Sequence, residues 1–175
     1  YFIDNAGIGP DGEQTGPMKG GIIIFSAGND YSSRPSFPGA DDRVVCVTSM
    51  MPNYMKAGYS NFGDAADIFA PGGAGSTDTE FSMEGQVYST DITDAYVYKA
   101  GTSMACPHVS GIAALIVSRY GVGQPGFTPD KLREILLRSY RSVGQYQKTP
   151  AIADGLGVGL VDATMIELEN PGTAP

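Results

Sequence analysis

The segment Gly101-Thr102-Ser103-Met104-Ala105-Cys106-Pro107-His108-Val109-Ser110-Gly111 sets a serine hydroxyl where a helical pattern begins. From Ser103 to Arg119, Val109, Ile112, Ala113, Leu115 and Ile116 recur at helical spacing, while Ala105, Gly111 and Ala114 keep the other faces small. The spacing predicts a central, tightly packed helix. At its N-terminus, unpaired N–H groups and the positive end of the helix dipole favour negative charge developing there. Acyl transfer at a serine develops such charge. The local pattern alone, however, favours a plainer role for Ser103 as a helix N-cap.

The other polar residues offer less. His108 lies five residues after Ser103, which is about 7.5 Å along a helix axis and about 140° around it. It cannot make the hydrogen bond of roughly 2.6–3.2 Å that a general base needs. Cys106 reads as a buried thiol packing as a small hydrophobe, and two cysteines, Cys46 and Cys106, are too few for a zinc site or a disulfide scaffold. Gly72-Gly73-Ala74-Gly75-Ser76 lacks the Lys-Ser/Thr of a phosphate loop. Asn29, within Gly-Asn-Asp, reads locally as a turn residue, and Asp41-Asp42 and Asp91–Asp94 as solvated loop charges.

Ile22-Ile23-Ile24-Phe25 and Val44-Val45-Cys46-Val47 are continuous apolar runs of the kind buried on both faces of a parallel sheet, and Ile68-Phe69 is a shorter third run. Residues 5–21 and 71–91, rich in Gly, Pro and polar side chains, read as loops. Thr128-Pro129-Asp130 opens a second helix with an N-cap and a proline in the first turn, and Leu132, Ile135 and Leu136 form its apolar stripe. Strands followed by helices, without hairpin dipeptides, predict an α/β layer arrangement in one domain over residues 1–175. The formal net charge of −8 argues against nucleic acid or an anionic membrane surface as partner. The longest apolar stretches, Gly21–Ala27 and Val109–Val117, fall far short of the roughly 18 residues of a membrane span.

The segment around Ser103 is similar, almost residue for residue, to the nucleophile motif of the subtilisin family. Ile23-Ile24-Phe25-Ser26-Ala27-Gly28-Asn29 resembles the family's strand ending in Ala-Gly-Asn. Ser60-Asn61-Phe62-Gly63, Ala70-Pro71-Gly72 and Gly155–Ala163 resemble further family segments in the family's order, so the similarity runs over about residues 20–165. The resemblance implies a three-layer fold of parallel sheet with helices on both faces, of which this chain is the C-terminal portion, the N-terminal half being missing. It implies Ser103 as nucleophile and Asn29, with the Ser103 backbone N–H, as oxyanion donors. Ser26, Ala27 and Gly28 would wall the pocket for the residue before the scissile bond. Phe37-Pro38-Gly39 would lie opposite, Ser36 near the floor and Asp30 at the rim, where it would favour a basic residue.

A family member places an Asp and then a His ahead of the Asn and the Ser, and residues 1–20 hold neither motif. The resemblance therefore implies a serine endopeptidase acting on polypeptides of which this chain, inactive alone, is a piece. Its partner would be the upstream half of its own domain, and the unpaired edge of Ile22–Phe25 would make the isolated chain self-associate. A non-catalytic binding module of the same fold is the alternative. No cofactor is required. Calcium near Gly39–Val44, and secretion or a place in the cell envelope, are implied by resemblance only.

Overall fold

The computed structural model describes residues 1–76, 78–144 and 155–168; the rest of the expected 1–175 unit lies outside the described residues. A short helix α1 (Phe2–Asn5) is followed by three parallel strands, β1 (Ile23–Ser26), β2 (Val44–Met50) and β3 (Ile68–Pro71). A hairpin of β4 (Val87–Thr90) and β5 (Tyr96–Lys99) precedes the long helix α2 (Thr102–Tyr120). Helix α3 (Pro129–Leu136), β6 (Tyr140–Arg141), β7 (Leu160–Val161) and α4 (Met165–Leu168) complete the described chain. The main sheet runs β1-β2-β3-β7-β6, with β7 parallel to β3 and β6 antiparallel at the far edge. The fold is α/β, as expected.

All of β2 is buried, and Val45 and Val47 meet Ile68, Val109, Ala113 and Ile116 in one core. Leu132, Ile135 and Leu136 carry α3 into the same core. Burying each such side chain contributes about 1.5–3 kcal/mol, more than the roughly 1 kcal/mol of the Thr128 cap, whose hydroxyl accepts from Lys131 N–H at 3.3 Å. Packing therefore places α3, and capping sets where it starts. Behind the sheet, Met50 and Phe69 are covered by Val143, Leu156 and Tyr54.

Three local expectations change. Residues 71–91 are not all surface loop: Gly72, Gly73 and Ala74 are buried, and Val87–Thr90 pairs with Tyr96–Lys99. This hairpin was hidden because its turn uses Asp94 at φ 55° instead of a glycine dipeptide. β1 is not buried on both faces; it stands at the sheet edge with β2 on one side, and Phe25 is exposed. Helix α2 is not enclosed among the described residues either: Pro107, Ser110, Gly111, Ala114 and Leu115 are exposed along one face. Gly121 caps the C-terminus of α2 without a left-handed conformation; a Cβ there would stand 2.6 Å from the Pro17 carbonyl, so close chain approach requires the glycine.

Candidate active site

The C-terminal ends of β1 and β3 point at the start of α2. Gly101 N–H donates to the Gly72 carbonyl just past β3 at 3.0 Å, fixing the turn that leads into the helix. Gly101, not Ser103, is the N-cap, so Ser103 occupies the second helical position. Its N–H has no intrahelical acceptor there, and no hydrogen bond engages that N–H or the exposed hydroxyl among the described residues.

Asn29, three residues past β1, reaches the same turn. Its Oδ1 accepts from both the N–H and the hydroxyl of Thr102, each at 2.9 Å. The Thr102 hydroxyl in turn accepts from Gly28 N–H at 3.3 Å. With Oδ1 held by two donors, the amide cannot be flipped, and Nδ2 keeps both its N–H groups available. Asn29 and Ser103 line one cleft of about 530 Å³ together with Tyr59, Gln86 and Gly101. A second cleft of about 420 Å³ lies between the hairpin and α2, lined by Val87, Val97, Lys99, Ser103 and Met104. A third, of about 310 Å³, joins Ser103 to Phe25, Ser26 and Cys106. An exposed hydroxyl, an unpaired helix N–H and an oriented amide thus meet where clefts converge, an arrangement suited to holding a tetrahedral oxyanion.

The other expected site residues separate. Ser26 reaches a cleft shared with Ser103, whereas Ala27 is fully buried and its carbonyl accepts from Ser36 N–H at 2.7 Å. Gly28 is in the left-handed region at φ 103° and Gly39 is buried, a Cβ on it standing 3.0 Å from the Ser26 carbonyl. The Ser36 hydroxyl accepts from Asn61 at 3.2 Å. Asp30 is exposed. None of Ala27, Gly28, Asp30, Ser36 or Gly39 lines the three clefts around Ser103. Sequence reading gave no role to Thr102, Tyr59 or Asn61; Thr102 and Asn61 lie in recognised segments and Tyr59 beside one, the only signal that could have drawn attention to them.

His108 Nδ1 donates to the Met104 carbonyl at 2.8 Å, an i−4 contact along its own helix. Cys46 is buried and its thiol is pushed up to about 12 by burial. Cys106 is half-buried against the cleft beside Ser103, also raised by burial; both thiols are free. In the segment Gly39–Val44 the Val44 carbonyl accepts from Arg133 at 3.1 Å, and Asp41 accepts from Arg43 N–H at 2.9 Å. Arg133 also pairs with Asp67 at 2.6 Å, so a guanidinium already bridges that carboxylate and that carbonyl. Among the described residues no three acidic, His or Cys side chains cluster as metal ligands, and no helix is long and apolar enough to cross a membrane.

A model of the subtilase family, peptidase family S8, matches residues 8–159. The extracellular basic protease of Dichelobacter nodosus is 35% identical over 146 residues, covering 82% of this chain and 22% of that protein. Thermitase of Thermoactinomyces vulgaris is 34% identical over 58% of this chain and 32% of its own length. Among solved structures, a protease from Pseudoalteromonas arctica aligns at TM-score 0.67 and 37% identity, over 89% of this chain and 44% of that one. The epidermin leader peptide processing serine protease of Staphylococcus aureus aligns at TM-score 0.71 and 28% identity, over 87% and 41%. The chain spans about a quarter to a third of these curated relatives and under half of these solved chains.

Proposed function

The chain belongs to the subtilase family, and from that premise we propose that the protein containing it is a serine endopeptidase, with Ser103 as nucleophile and Asn29 as oxyanion donor. The observation that carries this reading is the double anchoring of Asn29 Oδ1 on Thr102, which leaves the Nδ2 hydrogens available on a residue that lines the cleft of Ser103. In the reaction Ser103 Oγ attacks the scissile carbonyl carbon and gives its proton to a base. Asn29 Nδ2 and the Ser103 N–H take the charge that moves onto the carbonyl oxygen. The tetrahedral intermediate collapses to an acyl-serine as the protonated amine leaves, and water releases the acid by the reverse sequence.

The base is not His108, whose Nδ1 is engaged with Met104. A His and an Asp upstream in the protein supply it, and the half of the domain that bears them seats on the β1 edge and the exposed face of α2. Between those two elements runs a cavity of about 600 Å³ lined by Met18, Ile22, Ile24, Ala113, Ala114 and Val117, an apolar surface suited to such a neighbour. The substrates are polypeptides. The chain alone is inactive, and the intact protein acts outside the cell, as the name of the extracellular basic protease from Dichelobacter nodosus suggests.

Treating the intact protein with a fluorophosphonate tests the reading. Label on a peptide containing Ser103, with peptidase turnover abolished by Ser103→Ala, is the expected result. Full turnover in Ser103→Ala would refute it.

A further inference from the structure

The segment Tyr59–Asn61 lies beneath both halves of the site and touches neither clefts' reacting groups directly except through the residues it holds. Asn61 is fully buried and spends all its side-chain hydrogen-bonding capacity on the loop that carries Asn29. Its Oδ1 accepts from Asp30 N–H at 2.9 Å and Ser32 N–H at 3.0 Å. Its Nδ2 donates to the Ala27 carbonyl at 3.0 Å and the Ser36 hydroxyl at 3.2 Å. The Asn61 N–H donates to the Gly28 carbonyl at 3.0 Å. Both neighbours of Asn29 are therefore held by the same asparagine.

Tyr59 does the corresponding task on the Ser103 side. Its hydroxyl lies 2.9 and 2.8 Å from the Gly72 and Gly73 carbonyls, its one proton shared between them, and Ser49 Oγ, 2.8 Å away, completes the group. The Gly72 carbonyl is the one that receives Gly101 N–H, at the entry to α2. The two sides are tied together by buried Ser60, whose hydroxyl accepts from Ser49 N–H at 3.0 Å and donates to the Asn61 carbonyl at 2.9 Å. The Tyr59 carbonyl accepts from Tyr31 N–H at 2.9 Å, closing the Asn29 loop against the same segment.

We propose that Tyr59 and Asn61 are positioning residues that set the distance between the two oxyanion donors, Asn61 through the Asn29 loop and Tyr59 through the Gly72–Gly101 contact. Such donors act only when they are placed, before the reaction, where the charge will appear. Asn29 is exposed on a loop, and a loop finds that precision only from buried supports. The proposal rests on the peptidase reading above.

The test uses the intact protein, with fluorophosphonate labelling of Ser103 as the separate check on that reading. Asn61→Ala is expected to lower kcat about 10–100-fold with KM changed less than about twofold. It is also expected to speed amide exchange at Asp30 and Ser32 about tenfold or more, with exchange in β2 unchanged. On an Asn29→Ala background the same substitution should cost less than about threefold further, because the donor it positions is gone. Tyr59→Phe keeps the ring and should lower kcat about 3–30-fold in both backgrounds, since it acts on the Ser103 side. An unchanged kcat, or an equal loss for Asn61→Ala with and without Asn29, overturns the proposal. Should Asn61→Ala not fold, Asn61→Asp keeps the acceptor, loses the donor to Ala27, and is read by the same two-background comparison. Failure of wild-type Ser103 to label overturns the peptidase reading instead, and the exchange rates at Asp30 and Ser32 still decide whether Asn61 holds the loop.

Discussion

Asn29 concentrates the chemistry that one side chain supplies. Removing its amide would take away the proposed oxyanion donor and also the acceptor of the Thr102 N–H and hydroxyl at the first turn of α2. Asn29→Ala in the intact protein should therefore lower kcat by about 10²–10³ with little change in KM, the size found when one such donor is removed from a subtilisin. Steady-state kinetics on a peptide substrate checks this, and an unchanged kcat would take Asn29 out of the reaction. Cys46 gives a pH prediction. Its native thiol is pushed up to about 12 by burial, with Asp67 and Cys106 adding in the same direction. An unfolded thiol titrates near about 8.5, so below that pH both states keep the proton and the full stability is present. As pH rises toward 12 the unfolded chain loses its proton first, and stability falls by about 1–2 kcal/mol by pH 10. Comparing unfolding midpoints of wild type and Cys46→Ala at pH 8 and pH 10 measures it; equal slopes would refute it.

At the scale of elements, α3 is joined to the sheet by more than its apolar stripe. Arg133 reaches across to Asp67 at 2.6 Å and to the Val44 carbonyl at 3.1 Å, while the other Asp67 oxygen accepts from Cys46 N–H at 2.8 Å. One side chain thus clamps the start of β2 to the start of β3. Both partners are only partly exposed, so Arg133→Ala strands a carboxylate with one remaining partner and should destabilise by about 2 kcal/mol, below the range for wholly buried pairs. Urea denaturation monitored by circular dichroism would show it, and a midpoint unchanged within error would mean that water replaces the guanidinium at no cost. The hairpin β4–β5 is held differently: Tyr88 stacks on Tyr96 with ring centroids 5.4 Å apart and meets Tyr98 in a tilted contact at 4.6 Å. Those contacts keep it standing beside Ser103 without a core beneath it.

For the whole molecule, the free edge of β1 and the exposed side of α2 decide behaviour in solution. Among the described residues no strand lies on the outer side of β1, and an open strand edge next to an apolar cavity invites association. The chain alone should self-associate as concentration rises and should bind a hydrophobic dye. Light scattering over a concentration series reads this directly; a monomer throughout, without dye binding, would show that residues 5–21 suffice to cover the edge. Adding the upstream half of the domain should suppress both effects, because that half would occupy the same surface.

The helix at 102–120, the apolar strand runs and the capped helix after Thr128 were legible in the sequence because each depends on local order, whereas Ser103 and Asn29 stood out only through the family resemblance of the segments that carry them. An apolar run and a Thr-Pro pair carry their meaning within a few residues. Two kinds of fact were not legible. The hairpin at Val87–Lys99 was missed because Asp94 adopts a left-handed conformation usually left to glycine, and the exposure of Phe25 in β1 because an apolar run does not say which of its faces is covered. The pairing of Asn29 with Thr102 spans 73 residues, and Asn61 meets the Asn29 loop from about 30 residues away. Such contacts are made by chain folding across the sheet, so no spacing in the sequence could announce them. Tertiary structure alone decided which amide hydrogens of Asn29 are free, and which buried residues hold that loop in place.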